Sequence, residues 1–223
     1  MTILPDGAPA AAGAAGTGPV GFDLDLTLID SRDAILAAWS EVARESGVEI
    51  DLATVDRRLG LKLEDEAAFW FPAPRVEWAA AQYRRHYLRL APAMTTALPG
   101  ARAALAAVRQ AGESAVVITA KHPISVGPSM RAAGLTAREI FTHVHGPEKA
   151  AVLTRIRAVA YVGDTPADMT AARSAGVHAV GVPTGSFGRT ELLSAGADTV
   201  LTSLQEFPPW YADFRRRSAA GGR

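Results

Sequence analysis

Four short apolar runs constrain this chain more than any other feature: Val20 to Leu24, Ala115 to Ile118, Val159 to Val162 and Ala179 to Val182. Each is rich in Val or Ile, or bounded by Gly and Pro. Each is also too short for a helix, so the four read as strands buried on both faces. Thr142 to Val144 and Thr199 to Leu201 are weaker candidates for the sheet edge. Helical patterns lie between the runs. Pro99 to Ala111 carries Leu105 and Val108 and stops at Gly112, while Glu148 to Arg157 sets Val152, Leu153 and Ile156 on one face. Pro166 to Ala175 has Thr165 as its N-cap and ends at Gly176. This alternation predicts an α/β fold, a doubly wound parallel sheet of Rossmann-like form.

One interval does not alternate. From Ser31 to about Leu98 the patterns are helical: Ile35, Leu36, Trp39, Val42 and Ala43 form a stripe closed by Gly47, a second pattern spans about Arg75 to Leu90, and a third lies between Glu64 and Trp70. A helical insertion after the first strand is a second lobe. Sites in open α/β sheets lie at the carboxyl ends of the strands, where such a lobe can act as a lid. The expected division is a core of residues 19–30 and 98–214, a cap of 31–97, and flexible tails at 1–18 and 215–223, the second opening on Arg215-Arg216-Arg217 as a solvated, fraying helix end. The first tail has no basic segment or apolar core of the signal-peptide kind, and no run reaches the roughly 20 apolar residues that span a bilayer. A cytoplasmic location fits, as does the absence of cysteine, which also removes thiolate chemistry and Cys-based zinc sites. With 23 basic and 23 acidic residues, bulk charge gives no reason to expect nucleic acid or a membrane as partner. The sequence leaves monomer and dimer equally open.

The strand ends carry the chemistry. The first ends Phe22-Asp23-Leu24-Asp25-Leu26-Thr27. Residues two apart on a strand share a side, so Asp23 and Asp25 can enter one small volume, and a hard oxygen-seeking cation such as Mg²⁺ would relieve their repulsion. Taken alone, the pair is read equally well as turn or cap acids. The second strand ends Thr119-Ala120-Lys121, where a hydroxyl and backbone N–H groups can hold a phosphoryl oxygen; β-propensity alone also explains a Thr there. Lys149 opens the helix before the next strand, which ends Gly163-Asp164, and Asp168 begins the following helix, where it favours the helix dipole. Arg outnumbers Lys by 20 to 3, so the positions of Lys62, Lys121 and Lys149 are worth following.

In order and placement this set resembles the haloacid dehalogenase superfamily of aspartate-nucleophile hydrolases. Asp23-Leu24-Asp25-Leu26-Thr27 matches its first motif, Thr119 its second, Lys149 its third, and Gly163-Asp164 with Asp168 its fourth. The likeness covers residues 19 to 207. The helical insertion looks like the type 1 cap, and the whole is similar to the phosphoglycolate-phosphatase-like branch. The resemblance implies hydrolysis of a phosphate monoester of a small phosphorylated metabolite. Asp23 would be the nucleophile and Asp25 the general acid and base. Mg²⁺ would be held by Asp23, the Asp25 backbone and Asp164. Thr119, Ala120 and Lys149 would bind phosphate, with Asp168 behind them as an orienting residue. A phosphomutase of the β-phosphoglucomutase kind uses the same pair of acids, and a regulatory protein on this scaffold is the reading from another class.

Leu26 stands where many relatives have Gly, which crowds the nucleophile turn without replacing a catalytic atom. Gly60 to Glu64 resembles a substrate-specificity loop, which makes Lys62 a candidate for the substrate's non-reacting end. Lys121 is a candidate for phosphate or leaving group. Arg84, Arg85 and His86 can face the cleft from the cap but read better as a solvated helix face. The pair His143 and His145 suggests a metal but is explained more simply as alternation on a short strand, and the aromatic residues of the insertion read as its own core.

Overall fold

A strand buried on both faces needs something to fill each, and the first strand shows how this sheet meets that demand. Val20 and Phe22 turn toward a core shared with Leu105, Val108, Met130 and Phe207. On the opposite face Gly21 leaves room for its neighbours: a Cβ there would lie 2.8 Å from Tyr161 Cδ2 and 3.0 Å from Leu153 Cδ2. The computed structural model describes residues 17–221, so the expectation of a flexible tail over residues 1–16 and at 222–223 lies outside the described residues. In chain order the elements are β1 (Val20–Phe22), β2 (Ile29–Asp30), α1 (Arg32–Ser46), α2 (Leu52–Arg57), α3 (Leu63–Trp70), α4 (Ala73–Met94), β3 (Thr96–Ala97) and α5 (Ala101–Gln110). There follow β4 (Ala115–Ile118), α6 (Pro123–Ala133), β5 (Glu139–Phe141), α7 (Pro147–Arg155), β6 (Ala160–Gly163), α8 (Pro166–Ser174), β7 (His178–Gly181), α9 (Arg189–Ser194), β8 (Thr199–Val200) and α10 (Phe207–Gly221).

Six strands form one sheet in the order β5-β4-β1-β6-β7-β8, and every pairing in it is parallel. After β1 the chain builds outward through β4 and β5, then returns to the other side of β1 to add β6, β7 and β8. The reversal puts the topological switch point at the carboxyl end of β1, where α/β sheets form their clefts. Helices cover both faces, with Ala115, Val117 and Val162 turned to one core and Val116, Ile118 and Tyr161 to the other.

The insertion packs around Trp39, Val42, Val55 and Tyr87, a core separate from the two that flank the sheet. Its two connections to the sheet pair with each other: β2 and β3 are antiparallel, with Ile29 opposite Ala97 and Asp30 opposite Thr96. Helix α1 ends as its sequence predicts, on Gly47 in the left-handed region at φ 69°.

Three expectations need correction. The edge strand is Glu139–Phe141, paired with β4, and not Thr142 to Val144; His143 takes φ 60°, which ends the strand before it. Helix α4 runs on to Met94 through Pro92, beyond the expected Leu90. The segment expected as a flexible tail from Arg215 is helical to Gly221, with Arg215 over the Tyr211 ring and 4.0 Å from Glu113. Among the described residues no helix is long and apolar enough to cross a membrane.

Candidate active site

The chain leaves β1 through a tight turn that Asp23 opens. Asp23 N–H donates to the Val162 carbonyl at 2.9 Å, and the N–H groups of Leu28 and Ile29 converge on the Leu24 carbonyl at 2.9 and 3.0 Å. Leu26 occupies the bend at φ 58°. The crowding expected there takes the form of a left-handed backbone, which costs a non-glycine residue on the order of 1–2 kcal/mol. Burial of the Leu26 side chain offsets it. The Leu26 carbonyl also accepts the Thr184 hydroxyl, which ties this turn to the loop after β7.

Lys149 reaches across from the first turn of α7. Its Nζ donates to Asp23 Oδ1 and to Asp168 Oδ1, each at 2.7 Å. Burial disfavours the ammonium, yet Asp168 and then Asp23 raise its pKa well above the ordinary value, so Lys149 is a cation at any working pH. Asp168 is itself tightly held. It closes the capping box of α8 with Thr165, and its Oδ1 also accepts the Tyr161 hydroxyl at 3.1 Å. The helix-start role and the lysine-orienting role thus belong to one carboxylate.

Asp25 points into the same cleft but has different partners. Its Oδ1 accepts Ser31 Oγ at 2.5 Å and Lys121 Nζ at 2.8 Å. The Lys121 ammonium sits 4.2 Å above the Tyr87 ring, so the cap supplies an aromatic face to a core ion pair. Burial opposes its charge, and Asp25 and Tyr87 raise its pKa above the usual range. Thr119 is buried, and its Oγ1 accepts the Lys121 N–H at 3.1 Å; its own N–H is committed to the Phe141 carbonyl. Of the strand-end residues, therefore, the Thr119 hydroxyl and Ala120 face the cleft, while the Thr119 N–H serves the sheet.

Three carboxylates, those of Asp23, Asp164 and Asp168, each present an oxygen within 4.8 Å of the others. Asp168 has both oxygens engaged, by Lys149 and Thr165. Asp23 and Asp164 remain as donors, with Thr27 Oγ1 donating to Asp164 Oδ1 at 2.8 Å. Burial pushes the Asp23 carboxyl up to about 7, against the pull of Lys149, and pushes Asp164 well above its ordinary range. Three buried acids against one buried ammonium leave excess negative charge, and all the donors are hard oxygens. This donor set fits a divalent cation such as Mg²⁺. A Cβ on Gly185 would stand 2.0 Å from Asp164 Oδ2, so the loop after β7 also needs a glycine where it passes this carboxylate.

The cap side departs further from expectation. Arg84 does not lie on a solvated face; it lines the cleft, paired with Glu64. Arg85 does face outward, toward Glu45, and His86 is buried beside the same glutamate. Lys62 is the N-cap residue of α3, and its charge acts on His145 and Glu148. Trp39, Tyr83 and Tyr87 pack the cap core and also line the cleft, which holds a cavity of about 130 Å³. His143 and His145 are not strand residues. They meet His122 in a row of rings at the core edge of the cleft, which the sequence could not show because they are brought there by the left-handed turn at His143.

The family model for haloacid dehalogenase-like hydrolases matches residues 20–182. The chain belongs to that family. Among curated relatives it is similar to a protein of Dickeya dadantii called probable phosphatase IndB, 29% identical over 209 residues, covering 83% of this chain and 89% of that one. It is also similar to the plasmid phosphoglycolate phosphatase of Cupriavidus necator, 28% identical over 219 residues, covering 89% and 95%. A solved hydrolase from Pseudomonas syringae shares the fold, with a TM-score of 0.76 at 23% identity over 88% of this chain and 99% of that one. This hydrolase-family enzyme therefore has phosphatases as relatives over most of its length.

Proposed function

We propose that this enzyme hydrolyses a phosphate monoester of a small metabolite, with Mg²⁺ and an aspartyl-phosphate intermediate on Asp23. The observation that carries the reading is the pair of separately held carboxylates at one strand end: Asp23 on Lys149, and Asp25 on Lys121 and Ser31. In this reading one acid bonds to phosphorus and the other moves a proton. A site for a substrate with a single carboxylate role would not need both. The cavity of about 130 Å³ suits a compact substrate.

In the first step Asp23 Oδ attacks phosphorus as the bond to the ester oxygen breaks, and Asp25 gives its proton to the departing alkoxide. In the second, Asp25 takes a proton from water as that water attacks phosphorus, and the bond to Asp23 breaks to release phosphate. Lys149 and Thr119 hold the phosphoryl oxygens throughout, and Asp168 with Tyr161 keeps Lys149 in place. Mg²⁺, held by Asp23, Asp164 and the Asp25 carbonyl, would neutralise charge on the transferring group. The chain's own residues align the reacting atoms, and the cap excludes competing water.

The test is phosphate release from a panel of phosphorylated metabolites with added Mg²⁺, for wild type and Asp23→Asn. An amide cannot act as the nucleophile, so turnover in Asp23→Asn should fall to background. Full activity in that variant would sink the mechanism. Transfer of phosphate between positions of a sugar phosphate, with little net release, would favour the mutase reading.

A further inference from the structure

His122, His143 and His145 form a row along the core edge of the cleft that no step above employs. The ring centroids are 5.7 Å apart from His122 to His143 and 5.2 Å from His143 to His145, and all three rings line the cleft. Backbone hydrogen bonds bring the row beside the phosphate-binding loop: His143 N–H donates to the Lys121 carbonyl and Val144 N–H to the Thr119 carbonyl, both at 3.0 Å. A leaving group attached to phosphorus at Asp23 therefore has this row as a neighbour.

Two features separate the row from ordinary packing. His143 sits at φ 60°, a conformation uncommon outside glycine, and the strained residue is one that holds the rings together. Both ring nitrogens of His145 are shut from solvent and lack a hydrogen-bond partner. Buried polar atoms are seldom left without a hydrogen bond, so a partner in the loaded cleft is expected. His122 is more defined: its Nδ1 accepts the Ile124 N–H, which leaves Nε2–H as a donor.

The electrostatics choose between partners. Burial lowers the pKa of both His122 and His145, the latter to about 4, so these two rings are neutral at neutral pH. The charges around them are paired: Arg84 with Glu64, Lys149 with Asp23 and Asp168, and Lys62 shares its surroundings with Glu148, which also accepts the His145 backbone N–H. A neutral imidazole offers one donor and one acceptor, and a hydroxyl matches both. A carboxylate only accepts, and it would lose its hydration against a wall without net positive charge.

Resting on the phosphatase reading, we propose that His122, His143 and His145 are specificity-determining residues that select a neutral, hydroxyl-bearing leaving group. The substrate class is then a small polyol phosphate.

Three esters of similar size separate the possibilities: 2-hydroxyethyl phosphate, ethyl phosphate and carboxymethyl phosphate, assayed for phosphate release with Mg²⁺. The wild type should prefer the hydroxyethyl ester over ethyl phosphate in kcat/KM by about tenfold, the worth of one or two neutral hydrogen bonds. His145→Leu should collapse that ratio, and His145→Asn, which keeps a donor and an acceptor, should restore part of it. His122→Leu carries the same expectation should His145→Leu fail to fold. A preference for the carboxymethyl ester, or a hydroxyethyl-to-ethyl ratio unmoved in the leucine variants, overturns the assignment. Release from none of the esters, nor from the wider metabolite panel, would instead overturn the phosphatase reading, and this inference with it.

Discussion

A buried imidazole titrates in a direction fixed by its surroundings. Burial, followed by Lys62 and His143, holds His145 down at about 4, whereas in the unfolded chain it takes up a proton near 6.5. Its contribution to stability is therefore whole above 6.5 and is lost as pH falls through 4. Thermal unfolding of wild type and His145→Asn at pH 7 and pH 4.5 should show the wild type losing more of its midpoint on acidification. A constant difference between the two proteins would dismiss the effect. At this scale the sequence was readable wherever chemistry is concentrated at strand ends. Asp23, Asp25, Asp164 and Asp168 all meet in the cleft, as does Lys149. The tie between Lys121 and Asp25 spans 96 residues and depends on Tyr87 of the cap, so no local pattern could reveal it. The scarcity of lysine was the available signal: two of the three are buried against the carboxylates of Asp25 and Asp23.

Among the elements, β1 and β6 are coupled by a missing side chain. Gly21 makes space for the Tyr161 ring, and the Tyr161 hydroxyl holds Asp168, which in turn holds Lys149. Gly21→Ala should cost about 1–3 kcal/mol, the usual penalty of overfilling a packed core. Chemical denaturation measures that loss. Phosphate-release kinetics should show kcat/KM falling as Tyr161 shifts, although residue 21 touches no substrate. An alanine variant as stable as wild type would show that the ring relocates freely. The strands were legible because Val-rich runs buried on both faces have few alternatives. Helix α6 was not. Gly127 and Pro128 interrupt its pattern, and its ordered start comes from Pro123 at the first turn and the His122 cap. Helix α10 was legible only at its arginine-rich end, its apolar periodicity being interrupted near the start by Pro208 and Pro209.

For the whole molecule, the concentration of buried negative charge means that a cation bound among those carboxylates would also stabilise the fold. A divalent cation that binds only the folded chain at a hundredfold excess over its Kd adds about 2.7 kcal/mol. For a chain of this size that raises the unfolding midpoint by roughly 5–10 °C. Calorimetry with and without Mg²⁺ should show the rise, and Asp164→Asn should remove most of it; an equal rise in the variant would place the ion elsewhere. The two-lobed plan was legible from the break in alternation, but the joint between the lobes was not, since β2 and β3 are only two residues each and lie 65 or more positions apart. That joint has a further meaning. Because the outgoing and returning strands lie side by side, the sheet meets the cap as it would meet a hairpin turn, whatever the length of chain beyond Asp30. Closure entropy grows only slowly with the length of such an excursion, so a lobe can lengthen, shrink or be exchanged there with little consequence for the strands beneath. The ribbon is a splice point, at which the helical lobe over the cleft can be rewritten while the strand-end carboxylates beneath it stay fixed.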